Sequence, residues 1–347
     1  MAMQYRCNTD VMKSMFNPRE RSRAVATCSE VGFGPRPVGH KHQMTRLISA
    51  AALKRRAYWV EEIRKLSGHF GDDSDRLENE LREEIARDGP PCLIDHLRLC
   101  GDIPESYEHD SSEEKLYSKY TDALLSEAYK AVGLKSVVLK ERADAADVEA
   151  FAKDFGFVGD AKAFRLSRTA KNQKDFKVQA MDGWKRGKPF AMIVCPIYHL
   201  PARASQIYQQ ATSRNVCIFT FSHLAMLVAY SHTDGQADGV ALLRRIFETV
   251  NTLNPSKDAY AYWFAVNKTM LGFSNTLSTL WSDEKRAAIE SIAAAKEEAL
   301  TFLARERERI MIMSHDEALV SLLRMHKIDN RAEVIRGLAN NNILGMC

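Results

Sequence analysis

Apolar residues recur at helical spacing through the first third of the chain, and glycines interrupt the pattern. Four helices are predicted there, each stopping at or beside a glycine: about 45–67, 75–88, 92–100 and 112–132. The last of them opens with a capping box from Ser111 to Glu114, whose side chains satisfy backbone N–H groups that the first turn leaves free. Further helix starts are predicted at Ser314–Glu317 and Asn330–Glu333.

The pattern changes at Ser136, where short β-rich runs begin to alternate with helices. Four strands are predicted: 136–140, 155–164, 190–197 and 216–221. Beyond Ser222 the chain becomes helical again. This alternation predicts an α/β core flanked by N- and C-terminal helices.

A long amphipathic helix is predicted from Asp283 to about Met313. Its apolar side carries Ile289, Ile292, Leu300, Leu303 and Ile310. Such a stripe packs either inside its own chain or against a second subunit, and the sequence leaves both interpretations open.

Four regions are expected along the chain. Residues 1–43 are irregular and rich in Arg and Lys, which predicts a flexible basic extension that is either a disordered tail or a nonspecific DNA-binding arm. Residues 44–110 are expected to form an N-terminal helical region, and 111–235 the α/β core. Residues 236–347 are expected to form a C-terminal helical region that serves packing or dimerisation.

Composition is that of an ordinary protein with a large core: 347 residues are 45% hydrophobic, and the net charge of +4 is too small to diagnose DNA binding by itself. The seven cysteines are scattered and form no CxxC pair, which argues against zinc and against a disulfide framework: Cys7, Cys28, Cys92, Cys100, Cys195, Cys217 and Cys347. The N-terminus lacks the apolar segment of a secretion signal, and the longest apolar runs, near 191–195 and 224–230, are too short to span a bilayer. We therefore expect a cytoplasmic protein without membrane insertion.

The most informative stretch is Asp160-Ala161-Lys162, at the end of a predicted strand. Residues two apart on a strand point to the same face, so the carboxylate of Asp160 and the ammonium of Lys162 are expected to share one surface. Basic residues follow at three-residue intervals: Arg165, Arg168, Lys171, Lys174 and Lys177. Between residues 162 and 188 nine Lys and Arg stand against two Asp, a local excess able to hold a polyanion. A merely solvated face is the alternative for such a run.

A metal site needs a second carboxylate, and Asp147, thirteen residues before Asp160, is the best placed. Two short strands joined by a turn would bring them together, although local propensity alone favours a helix at 147–153 with Asp147 near its N-cap. Mg²⁺ prefers such oxygen ligands, and the backbone carbonyl of Ala161 would complete the set. Lys162 would position or help to deprotonate a metal-activated water and offset phosphate charge. The pattern predicts metal-dependent cleavage of nucleic acid.

A longer string, from Asp160 to Val178, is similar to the HindIII family of type II restriction endonucleases. Shorter stretches resemble the same family: Glu114–Lys119, Ala146–Val148, Ser205–Ile207 and Asp316–Leu319. Together the resemblance covers about 100–345 and leaves the N-terminal extension outside it.

The resemblance implies the restriction-endonuclease-like PD-(D/E)xK nuclease fold, an α/β fold with a three-layer core, a mixed central sheet, and flanking N- and C-terminal helices. It also implies a Mg²⁺-dependent homodimer that cuts double-stranded DNA at a palindrome, AAGCTT or a closely similar site. It assigns the metal carboxylates to Asp147 and Asp160 and the catalytic lysine to Lys162. It also implies a companion DNA methyltransferase that protects host DNA without forming a stable complex. No proline precedes Asp147, and Lys140, with Glu141 beside it, replaces an acidic position of the family.

The segment after the motif is the expected DNA-reading surface. If 170–184 is one helix, it packs by an apolar side and turns its lysines outward. Four residues there suit base edges in the major groove: Asn172 and Gln173 for adenine, Lys174 for guanine and Asp175 for cytosine. Three others are expected on phosphates: Arg165, Arg168 and Lys171.

Other conspicuous residues are assigned to structure. Three histidines lack the spacing of a helical metal pair: His199, His223 and His232. Cys195 and Cys217 are expected as buried thiols in strands. Three tryptophans are expected in the core or at an interface: Trp59, Trp263 and Trp281. Two other functions stay open, a repair or recombination nuclease that recognises DNA structure and a DNA-binding regulator without catalysis.

Overall fold

A mixed five-stranded sheet forms the centre of the chain in the computed structural model, which describes residues 46–140, 145–168 and 173–337. The strands are β1 (Lys135–Val138), β2 (Val148–Phe151), β3 (Gly156–Ala161), β4 (Phe190–Cys195) and β5 (Val216–Thr220), and they lie side by side in chain order. The pairs β1–β2 and β2–β3 are antiparallel, whereas β3–β4 and β4–β5 are parallel. The predicted mixed sheet is therefore confirmed.

Thirteen helices of the described residues surround this sheet, here numbered in chain order. They are α1 (Ala50–Ile63), α2 (Phe70–Asp88), α3 (Pro90–Leu99), α4 (Ser112–Val132), α5 (Gln173–Phe176), α6 (Val178–Trp184), α7 (Gln206–Ser213), α8 (Phe221–Asp234), α9 (Gln236–Thr252), α10 (Ala259–Leu271), α11 (Thr276–Met311), α12 (His315–Met325) and α13 (Ile328–Gly337). A 3₁₀ turn, Ile197–His199, follows β4. Each of these helices is too short or too polar to cross a bilayer.

Burial of the central strands shows that helices cover both faces of the sheet. Every residue of β5 is buried, as is every residue of β4 after Phe190. Because successive side chains of a strand point to opposite faces, this burial requires cover on both sides. Helix α4 packs along β1, β2 and β3, while α6 packs on β3, β4 and β5. The arrangement is the three-layer α/β core that the sequence predicts.

Helix α4 is fixed at both ends and along its length. Ser111 accepts a hydrogen bond from the N–H of Glu114 at 3.2 Å, as expected, but the Glu114 carboxylate accepts from the N–H of Asp110 and not from that of Ser111. The helix ends at Gly133, whose φ of 110° is a left-handed conformation that favours glycine. At Gly159 of β3, an added Cβ would lie 2.8 Å from the Tyr129 hydroxyl of α4. Glycine therefore lets β3 approach α4 closely.

Packing confirms one local prediction, the two short strands that carry Asp147 and Asp160, and makes another wrong. Residues 148–151 form strand β2 in spite of their helical propensity, because pairing with both β1 and β3 satisfies their backbone. The helix expected over 170–184 is broken at Lys177, whose φ is 44°. Residues two apart on a helix point to nearly opposite sides, so Phe176 and Val178 are both buried only because the chain breaks between them.

The last two C-terminal helices, α12 and α13, contain no buried residue, unlike the helices around the sheet. The predicted start of α12 is confirmed, since Ser314 and Glu317 form a complete capping box. The start predicted at Asn330 is wrong, because α13 already begins at Ile328. On α11, the apolar residues Ile289 and Leu300 are 63% and 66% exposed, so the described chain leaves much of the predicted stripe uncovered.

The conspicuous aromatic and sulfur residues lie where the sequence predicts. Trp59 and Trp281 are buried in the core, as are Cys195 and Cys217. The four cysteines described, which include Cys92 and Cys100, are buried free thiols. His223 is buried with its ring 4.2 Å from that of Trp281, and it hydrogen-bonds with Thr220 and Asn267. These groups serve packing.

The buried His223 gives a prediction about stability against pH. Burial lowers the pKa of His223 to about 4, although its hydrogen bond with Asn267 opposes the shift. The unfolded chain takes up this proton near pH 6.5, so the contribution of the neutral ring is complete above that pH and is lost as pH falls toward 4. When the pH is lowered from 7.5 to 4.5, the free energy of unfolding of the wild type, measured with urea, should fall by about 2.5 kcal/mol more than that of His223→Gln.

The control is His232→Gln, because His232 is exposed on the same helix. An identical pH slope in wild type and His223→Gln would show that His223 does not resist protonation in the folded protein.

Candidate active site

The register of the β2–β3 hairpin explains the thirteen-residue spacing of the two acidic residues. Val148 of β2 pairs with Gly159 of β3. Because the strands are antiparallel, Asp147, which precedes Val148, lies opposite Asp160, which follows Gly159. A short connection closed by a 2.8 Å hydrogen bond from the N–H of Ala152 to the carbonyl of Phe155 joins the strands. Directly opposed residues of antiparallel strands point to the same face. The side chains of Asp147 and Asp160 accordingly lie close enough for each to shift the pKa of the other.

Lys162 completes this group: it lies one residue past the end of β3, where its N–H still pairs with β4, so its side chain points to the same face as that of Asp160. Its ammonium donates to Oδ1 of Asp160 at 2.7 Å and lies 2.5 Å from Oδ2. Asp160 has no exposed side-chain surface, whereas Lys162 is 14% and Asp147 32% exposed. The structure therefore brings the three residues together, and the group opens to solvent at Asp147.

The backbone of Ala161 is also turned toward the group. The N–H of Lys162 donates to the carbonyl of Val194 in β4 at 2.7 Å. In a trans peptide the Ala161 carbonyl points the opposite way, toward the β2 side of the strand, where Asp147 lies. This carbonyl is therefore placed beside the two carboxylates.

Two further residues of the site come from α4 and were missed in the sequence. Asp122 is 2% exposed, and Lys119, one turn earlier, bonds it at 3.1 Å. The ammonium of Lys119 also lies 4.0 Å from Oδ1 of Asp147. The available signal was an acidic side chain directly before the apolar run 123–125. A carboxylate at such a position stays buried only if a partner compensates it.

Burial and mutual repulsion give the three carboxyl groups of the site different pKa values. Burial, the charge of Asp122 and the nearby carboxylate of Asp160 raise the pKa of Asp147 to about 9. Burial likewise raises the pKa of Asp122, against the pull of Lys119. Burial opposes ionisation of Asp160, but the charge of Lys162 outweighs it and leaves the pKa of Asp160 lowered. The Asp147–Asp160 pair thus holds a proton at neutral pH, as two crowded carboxylates do.

The donor set fits a divalent cation with hard oxygen ligands. Three carboxylates, those of Asp122, Asp147 and Asp160, surround two ammonium groups, so the cluster is left with an excess of negative charge when fully ionised. Carboxylate and carbonyl oxygens are the ligands that Mg²⁺ takes in proteins. Asp147, Asp160 and the carbonyl of Ala161 are therefore suitable ligands.

The basic residues after the motif already have partners in the protein. Arg165 donates to the carbonyl of Tyr107 at 2.6 Å and to Glu114 at 3.3 Å. Arg168 and Asp175 form an ion pair of 2.5 Å with each other. Two residues of the expected reading surface, Lys171 and Asn172, lie outside the described residues, as do Glu141, the extension 1–43 and the side chains of Gln173 and Lys174.

Lys177 is another basic residue at the site. It is exposed, and its ammonium lies 5.7 Å from the centre of the Trp184 ring. Its charge is also close enough to contribute to the lowered pKa of Asp160. The left-handed backbone at Lys177 thus keeps a cation near the carboxylates and open to solvent.

A second cluster with metal-ligand chemistry is a hydrogen-bonded structural group. Glu84, Cys92 and His96 lie together between the N-terminal helices. The Glu84 carboxylate already accepts from Trp59 at 2.5 Å and from Arg55 at 2.9 Å. Burial also raises the pKa of the Cys92 thiol to about 12, so it stays protonated. Because Glu84 is already hydrogen-bonded and the Cys92 thiol is protonated, the cluster lacks the free ligands that a metal requires.

Asp122 yields a prediction about metal affinity. In Asp122→Asn, Lys119 loses its partner and is free to move onto Asp147, where its charge competes with a cation. We expect Mg²⁺ affinity to fall roughly tenfold to a hundredfold, the usual cost of losing an outer partner of a metal site. Calorimetric titration of the full-length protein with Mg²⁺ measures this directly.

The matched control is Glu127→Gln, because Glu127 pairs with Lys130 at the same spacing on α4 but outside the site. Unchanged Mg²⁺ affinity in Asp122→Asn would exclude Asp122 from the metal environment.

Comparisons with known proteins point to one family. A family model described as HindIII restriction endonuclease matches residues 56–339. The type II restriction enzyme HindIII of Haemophilus influenzae is 44% identical over 138 residues, which cover 39% of this chain and 46% of that enzyme. The aligned region thus spans less than half the length of that relative.

Proposed function

This chain belongs to the HindIII restriction endonuclease family, and we propose that it is a type II site-specific deoxyribonuclease. Its reaction would be the Mg²⁺-dependent hydrolysis of phosphodiester bonds in double-stranded DNA at a palindrome, AAGCTT or a closely similar site. The observation that carries this proposal is the meeting of Asp147, Asp160 and Lys162 at the open end of one hairpin. Family membership supports the substrate.

The geometry supports a separate task for each residue. Asp147, Asp160 and the Ala161 carbonyl would hold the cation, and bound Mg²⁺ would activate a water and neutralise phosphoryl charge. Burial opposes the charge on Lys162, but the charge of Asp160 outweighs it, so the pKa of Lys162 is raised. Lys162 is therefore an ammonium that would orient the attacking water and stabilise charge on the phosphate, since a protonated amine cannot accept a proton.

DNA contacts would come from the segment that follows β3. Exposed Lys177 is suited to a phosphate beside the carboxylates. We propose phosphate contacts also for Arg165, Arg168 and Lys171, and base contacts for the run Asn172–Asp175. Since Arg168 and Asp175 are paired with each other, reading of cytosine by Asp175 would require this pair to separate.

A palindromic substrate favours a two-fold protein, because each protomer can then cut one strand of the same site. We therefore propose a homodimer, with the C-terminal helical region 236–347 in packing or dimerisation. A cytoplasmic location fits the four buried free thiols of the described chain. A companion methyltransferase would protect host DNA at the same sequence.

The test is incubation of the full-length protein with supercoiled, linear, nicked and branched DNA, with Mg²⁺ or with EDTA. Discrete fragments from intact duplex, formed only with Mg²⁺, are expected. Cleavage confined to nicked or branched DNA would replace this proposal with a repair or recombination nuclease. Tight binding without any cleavage would replace it with a DNA-binding regulator.

A further inference from the structure

The C-terminal part of the chain forms a helical arm without a buried residue, and near the start of this arm Glu298 pairs with Arg56 of α1 at 2.8 Å. The last buried residue of α11 is Ala295, and the helix continues from there to Met311. Helices α12 and α13 contain no buried residue, and they pack mainly on each other. We call residues 296–337 the C-terminal arm.

Apolar side chains of the arm are exposed in a way that a lone protein rarely tolerates. On α12, Leu319, Val320, Leu322 and Leu323 are each 46–55% exposed. On α13, Val334 and Ile335 are 68% and 67% exposed. Helices of ten or eleven residues are marginal in water unless an apolar face is buried, and a continuous exposed apolar surface marks an interaction site.

The charges of the arm argue against DNA as its partner. The arm contains eight Lys and Arg and eight Asp and Glu, so its net charge is zero within a chain of +4. A surface that binds a polyanion carries a positive excess. A neutral surface with both signs instead allows close approach of another protein without repulsion.

The order of these charges matches a second copy of the same arm. Helix α12 begins with Asp316 and Glu317, and Arg324 and Lys327 lie at and after its end. If two copies lie antiparallel about a two-fold axis near Val320, Glu317 faces Arg324 of the other copy. Val320 and Leu323, which adjoin the side of the helix that carries Glu317 and Arg324, then face Leu323 and Val320 of the other copy, and the dipoles of the two helices are also opposed. Helix α13 has the same order of charges as α12, with the acidic Asp329 in its first turn and the basic Arg336 in its last.

We propose that the C-terminal arm is the dimer interface, with α12 and α13 of one protomer packed antiparallel on those of a second copy of this chain. The reason for a dimer rests on the proposed function, since cutting both strands of a palindrome needs two protomers. The arm is the surface that joins them. The arm is connected through α11 to the core, where Leu277 and Trp281 are buried.

The test is sedimentation velocity of the full-length protein and of the double variant Leu319→Asp with Leu323→Asp. Wild type should sediment as a dimer, and the variant's dimer dissociation constant should rise roughly a hundredfold, as for loss of central apolar contacts in an interface. Its unfolding temperature at low concentration should stay that of the wild-type monomer, because both leucines are exposed in the single chain. The matched control is Leu53→Asp with Leu66→Asp, which changes two exposed leucines of the N-terminal region.

A second variant tests the antiparallel order. Arg324→Glu would place acid opposite Asp316 and Glu317 of the other copy, so its dimer should weaken at low salt and recover partly at high salt. A monomeric wild type, or a leucine variant that stays dimeric, would overturn the proposed interface. Cleavage by wild type in the same preparations is scored separately, so failure of the interface and failure of the nuclease activity are told apart.

Discussion

Asp160→Asn should lose Mg²⁺-dependent cleavage by roughly a thousandfold or more, the upper end of the cost of removing one electrostatic group from an active site. Asparagine keeps the shape of the side chain but removes the charge that bonds Lys162 and would bind the cation. Because Asp160 is fully buried behind Asp147, duplex binding should survive. The measurement pairs a single-turnover cleavage rate with duplex affinity in Ca²⁺ or without metal.

The control for this variant is Asp154→Asn. Asp154 lies in the turn of the same hairpin, where it is exposed and pairs with Arg244 outside the site. Equal cleavage by Asp160→Asn and wild type would remove Asp160 from the mechanism. A circular dichroism spectrum of the variant shows whether a loss of cleavage is due to a loss of folding.

Lys162→Ala should reduce the single-turnover rate roughly a hundredfold to ten-thousandfold, the range for loss of a positioned proton donor or acceptor. The raised pKa of Lys162 means that the variant loses a positive charge from the cluster. The cluster then becomes more negative, so Mg²⁺ affinity should be kept or increased. Asp160→Asn should show the reverse, a loss of Mg²⁺ affinity, and the two variants are thereby distinguished by calorimetry.

Lys153→Ala is the matched control, since Lys153 is exposed in the same hairpin turn. Wild-type cleavage by Lys162→Ala would show that the ammonium has no part in the reaction. A Mg²⁺ affinity lost in parallel with the rate would show instead that Lys162 supports the metal site.

Local chemistry made the hairpin part of the site predictable. An acidic residue and a lysine two apart on a strand must share a face, and a partner thirteen residues earlier needs only a short turn to come opposite. Helical propensity at 147–153 pointed the other way, and pairing with β1 and β3 overcame it. Here strand pairing decided the structure and propensity did not.

The contributions of α4 and of Lys177 were out of reach of such reasoning. Asp122 and Lys119 enter the site because α4 packs across β1, β2 and β3, which is a long-range consequence of the whole fold. The break at Lys177 depends on the simultaneous burial of Phe176 and Val178, which periodicity alone does not specify. The stripe on α11 could be recognised in the sequence, but its partner could not, because the exposed arm depends on how far the core extends.

Sequencing the ends of DNA fragments produced by the full-length protein tests directly whether Asp147, Asp160 and Lys162 form a Mg²⁺-dependent centre for site-specific cleavage. We expect every end to map to one palindromic sequence, both strands to be cut there, and EDTA or Asp160→Asn to remove these ends. Ends scattered over the sequence, or the same ends produced by Asp160→Asn, would contradict this expectation.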